Sequence, residues 1–168
     1  MAAKMPSTVW RGTRMKVQNV MKRSPKYCSP GTSLADVVKV LSSCGCGALP
    51  VVDAKGKVIG MITDRDISVA VGMRDRRPSE LIAEQAMSRP VATCRTSDDV
   101  HAALKTMRIR KVRRLPVVNE EGKLEGILCV SDLIVDARHD DGSRPELSYE
   151  DIMNTLRGIC WHHSIEVA

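Results

Sequence analysis

Phenylalanine is absent from the 168 residues, and only four side chains are aromatic: Trp10, Tyr27, Tyr149 and Trp161. RNA-recognition modules and single-strand platforms stack bases on aromatic rings, so nucleic-acid binding of that kind is disfavoured. No apolar run approaches the roughly 18–20 residues of a membrane-spanning helix, and no secretory pattern opens the chain. The cytoplasm is the expected compartment, with no membrane contact. The two-residue spacing of zinc knuckles and thioredoxin-like sites is missing as well. Among Cys28, Cys44, Cys46, Cys94, Cys129 and Cys160 the tightest pair is Cys44-x-Cys46, and free thiols are expected, several acting as small buried hydrophobes. Neither a P-loop, a Ser-His-Asp grouping nor paired catalytic carboxylates stand out, so no catalytic residue, metal ligand or required cofactor is assigned.

Acidic residues are missing from the stretch before Asp36, which carries seven basic ones. Overall, 26 Lys and Arg against 20 Asp and Glu give +6. A second basic cluster comprises Arg108, Arg110, Lys111, Arg113 and Arg114, and the sign reverses over 136–151, with six acids against Arg138 and Arg144. Such asymmetry suits nucleic acid, an anionic small molecule or a solvated face, and charge does not choose between them. With 43% apolar and 27% charged residues, the chain has the composition and length of a globular protein with its own core.

Sliding the sequence along itself by 66 positions aligns 21–69 with 87–135 without a gap. Thirteen of those 49 positions are identical, including Leu49, Pro50, Val51, Val52, Gly56, Gly60 and Asp66, where chance gives about three. This is a tandem duplication of a unit far longer than a solenoid repeat. In each copy Thr32 and Ser33, or Thr96 and Ser97, offer helix N-caps. Apolar residues then recur at helical spacing: Leu34, Val37, Val38 and Leu41, then Val100, Ala103, Leu104 and Met107. Two short apolar strands follow, joined by a turn whose Gly56 or Gly122 is free to take a positive φ. A second helix is expected from about 64 and 131, and a short strand near 26–29 and 92–95 precedes each first helix. The unit reads β-α-β-β-α, an α/β (α+β) sandwich too small to cover its own sheet, which two copies together can cover.

The pattern of Leu49, Pro50, Val51, Val52, a turn with Gly56, then Gly60, Thr63 and Asp66 resembles the CBS domain. Its recurrence through Leu115, Pro116, Gly126, Cys129 and Asp132 resembles a CBS pair, or Bateman module, over about 15–138. The expected layout is an N-terminal arm at 1–14, repeats at 15–75 and 76–138, and a polar linker with a C-terminal amphipathic helix at 139–168. The resemblance implies a pseudo-two-fold pair whose clefts bind an adenine nucleotide (AMP, ADP or ATP) or S-adenosylmethionine as a regulatory ligand. It also implies a homodimer and, since no effector domain is attached, an effector protein as partner. A structural or dimerisation module with no bound nucleotide, and a basic nucleic-acid-binding protein, are the alternatives.

Thr63 and Asp66 carry the chemistry. At a strand-to-helix junction the first helical N–H groups are unpaired, and with the Thr63 hydroxyl they form a phosphate site. Asp66 offers acceptors only, which complement two neighbouring ribose hydroxyls. Thr followed three residues later by an acid is also close to a capping box, which needs no ligand. The second copy keeps Asp132 but puts Cys129, a poor cap and weak donor, in place of Thr63. Arg65 adds charge on the phosphate side or is simply exposed. Arg113 and Arg114 fall at positions which, by resemblance, line the cleft, and they are expected to serve the Asp132 site; Gly47 and Ala48 stand there in the first copy. Segments at 24–26, with Lys26, and 90–92 would by resemblance close the opposite copy's cleft.

His101 is expected on the surface and His139 in the polar stretch. His162 and His163 lack a recognised ligand spacing. Ser148 through Asp151 opens a helix with a capping box, with Ile152, Met153, Leu156 and Ile159 as its apolar positions; Gly158 weakens its end, and so short a helix gains stability only by docking.

Overall fold

The computed structural model describes residues 15–138 and 146–161. The arm with Trp10, His139, Arg144 and the His162–His163 pair lie outside the described residues. Helices α1 (Val17–Val20) and α2 (Leu34–Cys44), with β1 (Lys22–Arg23) between them, lead into the hairpin β2 (Ala48–Val52) and β3 (Val58–Thr63) and then α3 (Asp64–Arg74). A 3-10 turn at Pro78–Glu80 precedes α4 (Ala83–Ala86), β4 (Cys94–Arg95), α5 (Val100–Arg110), β5 (Arg114–Val118), β6 (Leu124–Cys129) and α6 (Val130–Asp136). Helix α7 (Tyr149–Cys160) completes the described chain.

The 66-residue shift carries one copy onto the other down to single bonds. Helices α2 and α5 start and stop 66 apart, and so do the strands of the two hairpins. Each hairpin has a register irregularity at its equivalent valines, 51/52 and 117/118. Asp53 Oδ1 accepts the N–H groups of Lys55 and Lys57, and Asn119 Oδ1 those of Glu121 and Lys123. The side-chain acceptor mimics a backbone turn, which is why Asp and Asn are interchangeable there. The two turns meet: Val58 N–H donates to the Gly122 carbonyl at 3.1 Å and Leu124 N–H to the Gly56 carbonyl at 3.2 Å. Helix α2 is capped by Ser33, as its sequence suggests. Helix α5 is capped by Asp99, not by Thr96 or Ser97, because 99 is the position equivalent to 33.

The repeats as sequence and the cores as packing do not coincide. Strand β1 of the first copy pairs antiparallel with β6 of the second, giving the sheet order β1-β6-β5-β4. Reciprocally, Ser88 of the second copy bridges Met61 on β3 of the first. Val17 and Met21 are buried in the core of the second copy, with Leu104, Met107, Leu115 and Leu128. Leu81, Ala83 and Met87 are buried in the core of the first, with Leu34, Leu49, Val51 and Ile62. Each copy lends its leading segment to the other, so neither completes its apolar interior alone.

Helix α7 packs on α5 and α6. Its buried face is Ile152, Thr155 and Ile159, while Met153 is 57% exposed. Positions 152, 155 and 159 share a face at 3.6 residues per turn, and Met153 lies about 100° away. The docking also separates the two equivalent helices: Leu104 of α5 is buried, whereas its counterpart Val38 on α2 is 44% exposed, and no described helix packs there as α7 does on α5.

The exchange requires glycine where the leading segments cross. A Cβ on Gly126 would lie 2.7 Å from Met21 Sδ and 2.9 Å from the Lys22 carbonyl oxygen, and one on Gly60 would lie 2.5 Å from Met87 Sδ and 3.3 Å from the Ser88 carbonyl. Both Gly→Ala changes are expected to destabilise, Gly126→Ala by about 1–3 kcal/mol as an overpacking defect. Gly126→Ala should cost more, because a backbone carbonyl yields less readily than a thioether. Urea unfolding of the two variants checks this, and a neutral Gly126→Ala contradicts it.

Candidate functional site

Strand β3 ends at Thr63 and α3 begins at Asp64, so the junction presents the first turn of a helix to the space between the copies. Both halves of a capping box form there. Thr63 Oγ1 accepts the Asp66 N–H at 3.1 Å, and Asp66 Oδ2 accepts both the Thr63 N–H at 2.9 Å and the Thr63 hydroxyl at 2.8 Å. Among the described residues, Oδ1 receives only the Ser88 hydroxyl, at a long 3.4 Å. One carboxylate oxygen therefore closes the helix, and the other keeps acceptor capacity.

A hollow of about 440 Å³ opens at this junction. Ala48, Thr63, Arg65, Asp66 and Ser88 line it, and so do Arg113 and Arg114. The arginines thus reach the first copy's junction, opposite Gly47 and Ala48, where the sequence placed them at the second copy's Asp132. Arg114 also pairs in register with Cys129 across β5 and β6, so it stands between the two junctions. Lining residues that were not anticipated include Ser88, Lys111 and, from α7, Ile159 and Cys160. Lys26 is exposed and is not among the residues around this hollow.

The equivalent junction of the second copy is built differently. Cys129 makes no side-chain cap bond to α6. Without a hydroxyl in Thr63's place, Asp132 Oδ2 is buried with no hydrogen-bond partner among the described residues. Its Oδ1 is taken by Lys22 Nζ at 2.8 Å. Lys22 and Ser88 are themselves equivalent by the shift, each following a shared methionine and each reaching the aspartate of the other copy. One copy sets a hydroxyl against its neighbour's acid, the other an ammonium. The Asp132 carboxylate holds the Lys22 ammonium above its ordinary range. Burial and the nearby Asp132 push the Cys129 thiol up, opposed by Arg114 and Lys22. A reader of the sequence could have found Lys22 by carrying the exchange through the shift, but the exchange is not written in any motif.

His101 is exposed, as expected, and links the start of α5 to α7, with ring nitrogens 3.3 Å from Asp99 and 3.4 Å from Asp151. The expectation of free thiols fails at one pair: Cys44 and Cys46 are joined across Gly45 at the end of α2, just before Gly47 and Ala48 enter the hollow. The Cys-x-Cys spacing leaves the two sulfurs adjacent once Gly45 turns the chain at φ 59°. No group of three or more metal-ligating side chains occurs among the described residues.

Comparison with known proteins matches these features to a family. The CBS domain model matches twice, over residues 17–72 and 82–136. The chain belongs to the CBS-domain family. It is 33% identical over 120 residues to an uncharacterized protein of Methanopyrus kandleri, the match covering 71% of this chain and 61% of that one. It is equally 33% identical over 119 residues to inosine-5'-monophosphate dehydrogenase of Mycobacterium bovis, but there spans 22% of the relative. Among solved structures it resembles CBSX2 in complex with AMP, at TM-score 0.63 and 25% identity, covering 72% of this chain and 94% of the other. It also resembles the CBS domain pair of MJ0100 in complex with 5'-methylthioadenosine and S-adenosyl-L-methionine, at TM-score 0.64 and 25% identity, covering 72% and 98%. Helix α7 lies outside both CBS matches.

Burial sets the thiol chemistry, pushing Cys28 up to about 11 and Cys94 up to about 12. At pH 8 both are held as unreactive thiols. Alkylation of the native protein at that pH should leave Cys28 and Cys94 unmodified. Prior mild reduction should add Cys44 and Cys46 to the labelled set, and labelling after reduction in denaturant should reach all six. Peptide mass mapping reads this; modification of Cys44 without reduction contradicts the joined pair.

Proposed function

We propose that this chain is a non-catalytic regulatory module that binds an adenosyl ligand (AMP, ADP, ATP or S-adenosylmethionine) between its CBS repeats and passes a change of shape to an effector protein. The observation that carries the reading is the Asp66 carboxylate: Oδ2 is committed to the α3 cap, Oδ1 has a 3.4 Å contact to the Ser88 hydroxyl, and Asp66 and Ser88 both line a hollow of the size small ligands occupy,. In this reading Oδ1 takes a ribose hydroxyl. Thr63 and the helix start, with Arg65, Arg113 and Arg114, favour a phosphate, and Ala48 leaves room beside β2. The adenosyl ligands held by CBS-pair structures of similar fold support the same chemistry.

Asp132 has a different state. Lys22 already supplies the positive partner to that carboxylate, and Cys129 replaces the hydroxyl donor. We therefore assign ligand binding to the Asp66 side, one ligand per chain, with Asp132 held by Lys22. The basic cluster at 108–114 supports a small ligand over nucleic acid. Arg113 and Arg114 face the hollow, Lys111 bonds to the Trp161 carbonyl, and the Arg108 stem packs where Gly158 has no side chain. Arg110 is left outward on α5.

Calorimetric titration of the full chain with AMP and ATP tests this. One ligand per chain is expected, and Asp66→Asn should weaken binding roughly 10- to 100-fold, the worth of a hydrogen bond to a charged acceptor. Asp132→Asn should change affinity little. A 2'-deoxy nucleotide should bind more weakly to the wild type and no differently from the ribonucleotide to Asp66→Asn. Wild-type affinity in Asp66→Asn would overturn the assignment.

The homodimer belongs to the same reading. Helices α3 and α6 leave Val69 and Met73, and Ile134 and Val135, exposed at 45% or more. Val69 and Val135 are equivalent by the shift, so both helices offer an apolar face to a second copy. Sedimentation equilibrium should give a dimer, and Val69→Glu with Val135→Glu should yield a folded monomer; a wild-type monomer removes the dimer.

A further inference from the structure

Helix α7 is foreign to the CBS repeats, yet its end forms part of their hollow. Ile159 and Cys160 line it beside Arg113 and Lys111. The helix therefore directs its C-terminal end, the negative end of its dipole, at the place where an anionic ligand would sit. One side chain mediates between the two. Lys111 lines the hollow and donates its ammonium to the Trp161 carbonyl at 2.7 Å, just past the last residue of α7. Of the residues that terminate the equivalent helices α2 and α5, only Lys111 is not glycine. Gly45 holds φ 59°, a left-handed conformation open to a residue without Cβ, and Lys111 holds φ 53° at a cost glycine does not incur,. An unfavourable backbone at this position is accounted for by what the side chain does.

We infer that Lys111 and the last turn of α7 form a gate on the hollow that senses the charge of the bound ligand. With the hollow free, or holding an adenosyl compound without phosphates, Lys111 stays on the Trp161 carbonyl and the turn remains docked through Ile159. A phosphate chain competes for the Lys111 ammonium and sets negative charge against the negative end of α7, so the turn loosens. Ligand charge, more than ligand affinity, then decides whether the α7 surface is released to an effector. This rests on the adenosyl-ligand reading above. Its trigger is narrower, since the α7 response must separate ATP from adenosine.

Amide hydrogen exchange of the 157–161 segment in the full-length protein, run beside calorimetric titration, tests it. Saturating ATP should speed exchange in that turn about tenfold, the loss of one hydrogen bond to a charged group, while adenosine leaves it unchanged. Lys111→Gly should show the faster exchange without ligand and no further change with ATP, with a melting temperature at or above wild type because the backbone cost is relieved. ATP that binds with measurable heat and leaves the turn's protection unchanged overturns the gate and leaves the binding reading standing. Lys111→Gly with wild-type protection in the ligand-free protein overturns the latch independently of any nucleotide. Absence of heat with both ATP and adenosine overturns the binding reading, and the gate's trigger with it.

Discussion

Reciprocal exchange of leading segments across the pseudo-two-fold axis is the constraint on which this molecule rests. Each copy holds a two-stranded hairpin backed by two helices, and such a unit exposes one edge and part of one face of its sheet. Val17 and Met21 fill the interior of the second copy, and Leu81, Ala83 and Met87 fill that of the first. Crossing at Gly60 and Gly126 brings each leading segment within van der Waals distance of the other copy's strand. The same crossing delivers Ser88 to Asp66 and Lys22 to Asp132. Packing and site are thus products of one arrangement, and the site cannot form in an isolated repeat.

Symmetry of the backbone makes differences in side chain consequential. The two junctions share their strand, turn and helix, yet Thr63 against Cys129 decides whether the carboxylate has an internal donor for its second oxygen. Ser88 against Lys22 decides whether the other oxygen meets a hydroxyl or a full positive charge. An ammonium within 3 Å of a carboxylate that is only 21% exposed is a self-supplied partner. At the first junction the corresponding oxygen meets a hydroxyl at 3.4 Å and no cation among the described residues. Two such differences leave one junction capped with a long hydroxyl contact, and the other ion-paired with its second carboxylate oxygen buried and unpartnered among the described residues. Helix α7 deepens the asymmetry by covering α5 and leaving the equivalent face of α2 with Val38 exposed.

Much of this was legible in the residues. The ungapped shift placed the equivalent helices and hairpins, and the capping box at Thr63 and Asp66 and the one at Ser148 and Asp151 both form. Local hydrogen bonding explains that success, because caps and turns are satisfied within three or four residues. The misses are of another kind. Asp99 displaced Thr96 and Ser97 as cap, a matter of register within a polar run. Met153 lay off the face that Thr155 completes. Arg113 and Arg114, expected to serve Asp132, line the hollow at the first junction, and Lys22, which no motif singled out, makes the ion pair with Asp132. Cys44 and Cys46 are joined where free thiols were expected.

Spacing along the chain was enough to specify a duplicated α/β unit, its turns, its caps and the pair of acids at equivalent junctions, because each of these depends on neighbours a few residues away or on a repeat visible by inspection. Which copy completes which interior, which cation meets which carboxylate, and that the end of an added helix borders the hollow all depend on groups tens of residues apart. Those pairings come from burying apolar surface on two incomplete sheets at once, and only the packed chain brings such distant groups within bonding distance.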